Sequence, residues 1–369
     1  MDFQEIALRF GITAPVIETE EIHSGNINRT YLITVQETEE TRKQYIFQRI
    51  NTFVFKQPEV VMDNIIRVTE HVKQKLVEQD GCYNRRVLSF LTTEDGKPYY
   101  YHSSHHFFRV YEYVANSYAP NKARTPEMFY EAGRGFGEFQ GMLSDFPADT
   151  LAEIIPDFHN TPVRFEALKK AIEEDAAGRC AEVKKEIRFV MDRQDDCGII
   201  VKALKEGRIP RRVTHNDTKI NNILFDKTTE KALCVIDLDT VMPGASLYDF
   251  GDAVRFGAST AAEDERDLSK VSLDLDMYRE FTRGFISGTH GLLSDEEFRL
   301  LPYGAYILTL ELIIRFLTDY LNGDKYFKVD SPDHNLVRVR NQQRLLLDME
   351  AKWAQMCEIA AESRRELLG

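Results

Sequence analysis

The sequence predicts an α+β chain, with a small β-rich segment followed by a larger, mainly helical part that carries one polar hairpin. Three observations support this. Strand-like alternation and Gly/Asn turns crowd residues 1–115. Apolar stripes of helical period dominate 116–369. Within the second part, the polar loop His215, Asn216, Asp217, Thr218, Lys219 leads into an apolar run, then a turn at 227–231 and a second apolar run ending in Asp237 and Asp239. That pattern reads as a hairpin with carboxylates at its open end. The length of 369 residues fits about two such units.

Each element has its own signal. Residues 2–10 place Phe3, Ile6, Ala7, Leu8 and Phe10 at helical spacing and stop at Gly11. Residues 21–35 read as strand, turn and strand, the turn formed around Ser24, Gly25, Asn26 and Asn28, and 44–49 reads as a third strand. Residues 58–79 form one amphipathic helix on a stripe of Val61, Ile65, Val68, Val72 and Leu76. Residues 107–114 are strand-like; His102, His105 and His106 just before them read as polar strand-edge groups, because no carboxylate or cysteine stands at ligand spacing. After Thr125 the chain turns helical, and Gly133, Gly137 and Gly141 share one face. Each glycine costs a helix about 1 kcal/mol, so the repeat predicts a close helix approach. A second helical block spans 163–206, and 263–275 reads as a mobile acidic connector. In the apolar stretch 301–329, Glu311, Arg315 and Asp319 recur every four residues. Charges in such a helix are expensive unless paired or facing a cleft, and the sequence leaves both open.

Composition excludes several classes. A net charge of −13, with no block of Lys and Arg, gives no electrostatic footprint for nucleic acid. Five scattered cysteines without a C-x-x-C pair predict neither a disulfide framework nor a zinc site. The N-terminus shows no leader pattern and no run is apolar enough to span a bilayer, so a cytoplasmic location without a membrane partner is expected; the oligomeric state is left open.

The spacing His215-x-Asp217-x-x-x-x-Asn222 matches the catalytic loop of kinases, where the Asp takes the acceptor's hydroxyl proton and the Asn holds magnesium. Phosphoryl transfer needs positioning and charge stabilisation more than covalent help. Asn222 and Asp237 are hard oxygen ligands suited to Mg2+, and Lys219 stands where it can reach a transferred phosphate.

With Ile236-Asp237-Leu238-Asp239 in place of Asp-Phe-Gly, the chain resembles the aminoglycoside phosphotransferase and choline kinase superfamily. The longer string through Met242-Pro243-Gly244 and Tyr248-Asp249-Phe250-Gly251-Asp252 is similar to the branch that phosphorylates the anomeric hydroxyl of N-acetylhexosamines. The resemblance implies a protein-kinase-like two-lobe fold, ATP as co-substrate with Mg2+, and a small-molecule acceptor. Asp217 is implied as base, with Lys219 beside the phosphate. Asn222 and Asp237 would be metal ligands, and Asp239 either a second one or a turn cap, with metal favoured. His215 and Asp249 would brace the loop. The turn Ser24, Gly25, Asn26 and Asn28 would cover the phosphates, and the backbone of Glu112, Tyr113 and Val114 would meet adenine. No Val-Ala-Ile-Lys occurs; Arg49 stands near the lysine's place, either gripping phosphate or lying on a solvated strand face, with Glu59, Asp63 or Glu70 as possible partners. Glu311, Arg315 and Tyr326 would meet the sugar. An aminoglycoside, choline or homoserine acceptor, a protein kinase, and a nucleotide-binding pseudokinase are the competing readings.

Overall fold

The computed structural model describes residues 2–23, 27–103 and 106–368. Ser24, Gly25 and Asn26 of the expected phosphate turn, and His105, lie outside the described residues. The N-terminal region is built on a five-stranded antiparallel sheet of order β1-β2-β3-β5-β4, formed by β1 (Val16–Ile22), β2 (Arg29–Gln36), β3 (Arg42–Ile50), β4 (Tyr100–Ser103) and β5 (His106–Glu112). Helix α1 (Phe3–Arg9) is capped by the Asp2 carboxylate, which accepts from the Gln4 and Glu5 amides. It covers one sheet face, where Ile6 and Phe10 meet Phe47, Phe108 and Val110. Helix α2 (Pro58–Asp80) starts on Pro58 and stops at left-handed Gly81, and it packs Ile65 and Val68 against Ile46, Ile50 and Phe107 on the other face. Full burial of each such side chain contributes about 1.5–3 kcal/mol. Because both faces are covered, the strands are apolar on both sides, and alternation no longer tells which face looks inward.

The larger part begins with the short strand β6 (Ser117–Tyr118) and helix α3 (Pro126–Met142), whose N-cap Thr125 accepts from the Met128 amide. The expected block 163–206 is divided into α4 (Thr161–Glu174), α5 (Lys184–Met191) and α6 (Ile199–Lys205). Left-handed Asp175 ends α4, and its carboxylate accepts from the Arg179 and Cys180 amides, which fixes a turn where charge density alone reads as helix. Next come β7 (Arg212–Thr214), β8 (Ile223–Asp226), β9 (Ala232–Val235) and β10 (Met242–Gly244), paired as a β6-β8-β9 sheet and a β7-β10 ribbon. The chain finishes with α7 (Ser246–Gly257), α8 (Leu275–Gly288), α9 (Asp295–Leu321), α10 (His334–Ala351) and α11 (Trp353–Leu368).

The glycine face of α3 lies on α8. A methyl group on Gly133 or Gly137 would meet the Phe281 or Phe285 carbonyl, and Gly284 and Gly288 of α8 lie equally close to α3 backbone. Helix α9 begins with a capping box of Ser294 and Glu297. It is the one described helix long and apolar enough to cross a membrane, yet 83% of its apolar window is buried, as in a core helix. The segment 263–275 is not a loose connector. Arg255 bonds Glu263, Asn341 donates to the Ala262 and Glu265 carbonyls, and Asp348 takes the Leu273 amide. The two parts are joined by Asn64 of α2, 1% exposed, which donates to the Ala152 and Val241 carbonyls and accepts from the Ala152 amide.

Candidate active site

The loop between β7 and β8 turns sharply at Asn216, whose φ is 65°. Left-handed geometry is tolerated by Asn when its side chain bonds locally. Here the amide donates to the Thr214 and Thr240 carbonyls. Asp249 of α7, 1% exposed, accepts from the amides of His215 and Asn216 and from Gln140 of α3. Burial pushes its carboxyl above the usual aspartate range, against the pull of those three donors. Asp252, one turn on, accepts from the Thr218 amide at 3.0 Å and pairs with Arg255. Burial raises its pKa, but Arg255 and Lys219 outweigh it and hold the carboxyl low. Two acids one helical turn apart thus hold both sides of the loop.

His215 is wholly buried and packs against Phe136 and Phe139 of α3. The Asp217 amide donates to its Nδ1 at 3.2 Å, so Nε2 carries the proton and donates to the Ile236 carbonyl at 2.8 Å. This neutral tautomer ties the loop to the residue before Asp237. Asp237 itself is left-handed, φ 58°, which turns its side chain out of the β9 line.

These turns bring four of the expected groups together. The Asp217 carboxylate lies 2.9 Å from Lys219 Nζ and accepts from Asn222 Nδ2 at 3.1 Å. Asn222 Nδ2 also donates to the Asp217 carbonyl, which commits the nitrogen and leaves Oδ1 to the cleft. Burial works against the Lys219 charge, but Asp217 and Asp252 raise its pKa on balance. Among the described residues none donates a hydrogen bond to the Asp237 side chain. It opens onto the cleft, yet desolvation by the enclosing walls, then the charges of Asp239 and Asp217, push its carboxyl up to about 6. An unpartnered carboxylate beside an amide oxygen is a donor set that fits a hard divalent cation.

The cleft in front of these groups encloses about 430 Å3 between the sheet and the loop. Asn28, Thr30 and Gln48 form its sheet side, Tyr113 and Val114 its rear, and Asp217, Asn222 and Asp237 its floor. The Glu112 and Tyr113 amides already donate to the Ser89 and Gln44 carbonyls, and the Glu112 side chain pairs with Lys43 at 2.8 Å, so the cleft lining here belongs to Tyr113 and Val114.

Two expected residues are placed differently. Arg49 shares the sheet face of Phe47, the one under α1, while Ile46 and Gln48 face the cleft. A one-residue offset on a strand reverses the side. Nor does an acid of α2 meet Arg49: Glu59 accepts from Tyr101, Asp63 neighbours Arg67 and Glu70 pairs with Lys73. The cation that does approach the site is Arg109 of β5, opposite Gln48, 2% exposed and paired with Asp239. Its Nε donates to Gln48 Oε1 at 2.9 Å. Burial opposes its charge, but Asp239 raises its pKa on balance. Asp239, the expected second metal ligand, has both oxygens engaged, one by Arg109 and the other by Asn28 Nδ2 at 2.6 Å. It is a latch between sheet and hairpin, not an open ligand. An arginine inside the apolar run 107–111 was a readable signal, since an unpaired charge there would be prohibitively costly.

Glu311, Arg315 and Tyr326 form a second group. Glu311, 0% exposed, accepts from Thr161 Oγ1 at 3.0 Å and bonds His159 Nδ1 at 3.0 Å, so its main partners are ones the helical spacing does not reveal. Arg315 is 3.9 Å from Glu311 and is ringed by Phe158, Tyr326 and Phe327 at 5.5–5.8 Å. Asp319 accepts from the Lys325, Tyr326 and Phe327 amides and so holds the Tyr326 loop over Arg315.

A family model described as the phosphotransferase enzyme family matches residues 18–281. Similar solved structures include an aminoglycoside phosphotransferase from Alicyclobacillus acidocaldarius, with 12% identity, TM-score 0.63, and 99% of this chain and 97% of that one covered. A choline kinase from Cryptosporidium parvum has 13% identity and TM-score 0.56, covering 96% and 98%. A spectinomycin phosphotransferase in complex with ADP and spectinomycin has 14% identity and TM-score 0.52, covering 98% and 97%.

Proposed function

Because the chain belongs to the phosphotransferase enzyme family, we propose that it moves the γ-phosphoryl group of ATP onto the anomeric hydroxyl of N-acetylglucosamine or N-acetylgalactosamine, as an N-acetylhexosamine 1-kinase. The observation that carries the chemistry is the Asp217 carboxylate at the cleft floor, held between Lys219 and Asn222 with Asp237 beside them. The sugar rests on the string from Ile236 to Asp252. The nucleotide lies in the cleft between residues 1–115 and the rest, in a cytoplasmic enzyme.

In this reading Asp217 accepts the proton as the anomeric oxygen bonds to phosphorus, and ADP departs. An anomeric hydroxyl is more acidic than an ordinary sugar alcohol, so aiming the oxygen is as much the task of Asp217 as taking the proton. Lys219 lies against the phosphoryl group and offsets its charge. Asn222 and Asp237 would hold magnesium, which when bound would offset the negative charge that develops on the phosphoryl group. Asn28 faces the nucleotide from the sheet side of the cleft, and Val114 meets the adenine edge. The test is ADP release with N-acetylhexosamines, hexoses, choline and an aminoglycoside as acceptors. Release with N-acetylhexosamines alone is expected; release only with the cationic acceptors contradicts the reading.

The raised pKa of Asp237 gives a pH dependence. Its folded value, about 6, exceeds the unfolded one. The metal-free fold therefore gains stability from this group below about pH 4 and loses it as pH rises through about 6. Bound magnesium needs the ionised form and offsets that loss. Thermal unfolding with Mg2+ and ATP should show a larger rise in Tm at about pH 7.5 than at about pH 5. An equal rise at both would remove Asp237 from the metal's ligands.

A further inference from the structure

Among the described residues that line the cleft, Lys219 of the loop is the one with a basic side chain. Arg49 lies on the other face of the sheet, and Arg109 is buried beside Asp239. What the sheet offers the cleft is a row of directly opposed residues, Thr30 on β2, Gln48 on β3 and, behind them, Arg109 on β5. A guanidinium can only donate, so its 2.9 Å contact fixes Oε1 as the Gln48 atom on the Arg109 side and turns the amino group the other way. One Gln48 N–H goes to Thr30 Oγ1 at 3.1 Å. Among the described residues nothing accepts the second N–H or the Thr30 hydroxyl proton. Asn28 is oriented in the same sense: Oδ1 accepts from the Asn51 amide at 3.0 Å, and Nδ2 donates to Asp239 with one N–H to spare.

The cleft is thereby polarised across its width. Its floor presents the Asp217 and Asp237 carboxylates and Asn222 Oδ1, all acceptors. Its sheet side presents N–H and O–H groups whose amide oxygens are already taken. Hydrogen bonds of this kind to an ionised oxygen are the strong ones, so the sheet side suits an anion rich in oxygen.

Resting on the reading of this cleft as the nucleotide site, we propose that Gln48 and Thr30 hold the phosphates of a nucleoside di- or triphosphate as neutral donors, with Arg109 as the positioning residue that directs the Gln48 amide. A charged donor polarises the hydrogen bonds that follow it in a chain. Part of the Arg109 charge is therefore felt at Thr30 while the ion itself stays paired with Asp239. The sheet meets the phosphates with hydrogen bonds in place of a salt bridge.

The test is calorimetric binding of adenosine, ADP and ATP, with Mg2+, to the full chain and to Thr30→Val and Gln48→Met. ADP and ATP should bind each variant about 10-fold more weakly, the effect of losing one hydrogen bond to a charged group, while adenosine binds as before. In Arg109→Met combined with Asp239→Asn, Gln48 keeps its amide but loses the donor that directs it, and the preference for ADP over adenosine should narrow in the same way. A loss shared equally by adenosine and ADP would mean that the row only holds the sheet together, and undiminished ADP binding would take the phosphates away from it; either overturns the proposal. An unchanged preference in the double variant overturns the role of Arg109. Should Gln48→Met fail to fold, Thr30→Val, which keeps the side-chain shape, decides alone. A native chain that binds neither adenosine nor ADP loses the nucleotide reading and the row with it. The expected pattern without phosphorylation of any sugar keeps the row and removes the acceptor reading, so the two fail separately.

Discussion

Asp217→Asn should fold and bind ATP as the native chain does while kcat falls by about 100- to 10,000-fold, the range for losing a positioned general base. The substitution keeps the shape of the side chain and its contact with Asn222. It removes the charge that faces Lys219 at 2.9 Å, a half-exposed pair whose loss costs the fold about 1 kcal/mol at most. Lys219, freed from its partner, remains available to the phosphoryl group, so the ATP KM should hold steady. Steady-state kinetics with thermal unfolding decide it. A kcat within about tenfold of native would mean that Asp217 neither takes the proton nor aims the acceptor.

The second large effect is expected at Arg109. It shares with Asp239 a pair in which both side chains are nearly inaccessible, and removing one partner leaves the other charge buried. Arg109→Met should therefore destabilise the fold by about 3–5 kcal/mol. Adding Asp239→Asn removes the orphaned charge and should restore most of the stability, since Asn28 and Gln48 remain as polar neighbours. Activity separates the roles. If the latch also holds sheet and hairpin in register over the nucleotide, the double variant regains Tm and keeps a raised ATP KM. Native KM in the stable double variant would confine Arg109 to stability.

Much of the site was legible because its spacing is local. One hairpin carries Asp217, Lys219, Asn222 and Asp237, and the loop alone dictates their separation. Helix α2 was legible for a similar reason: one face is buried, so its stripe stands out against polar positions. Arg49 and Arg109 show where legibility ends. With α1 on one side of the sheet and α2 on the other, both residues sit in strands whose two faces are apolar, and only the packed structure tells Gln48 from Arg49. The block 163–206 failed for another reason, since its breaks depend on side-chain bonds from Asp175 that propensity does not register.

Phosphorus NMR of the chain with ATP, Mg2+ and N-acetylglucosamine tests the central claim most directly. The account predicts loss of the γ-phosphate signal and growth of a sugar phosphate resonance coupled to the anomeric proton. ATP unchanged in the presence of every N-acetylhexosamine, or a phosphate coupled to a non-anomeric proton, would contradict it.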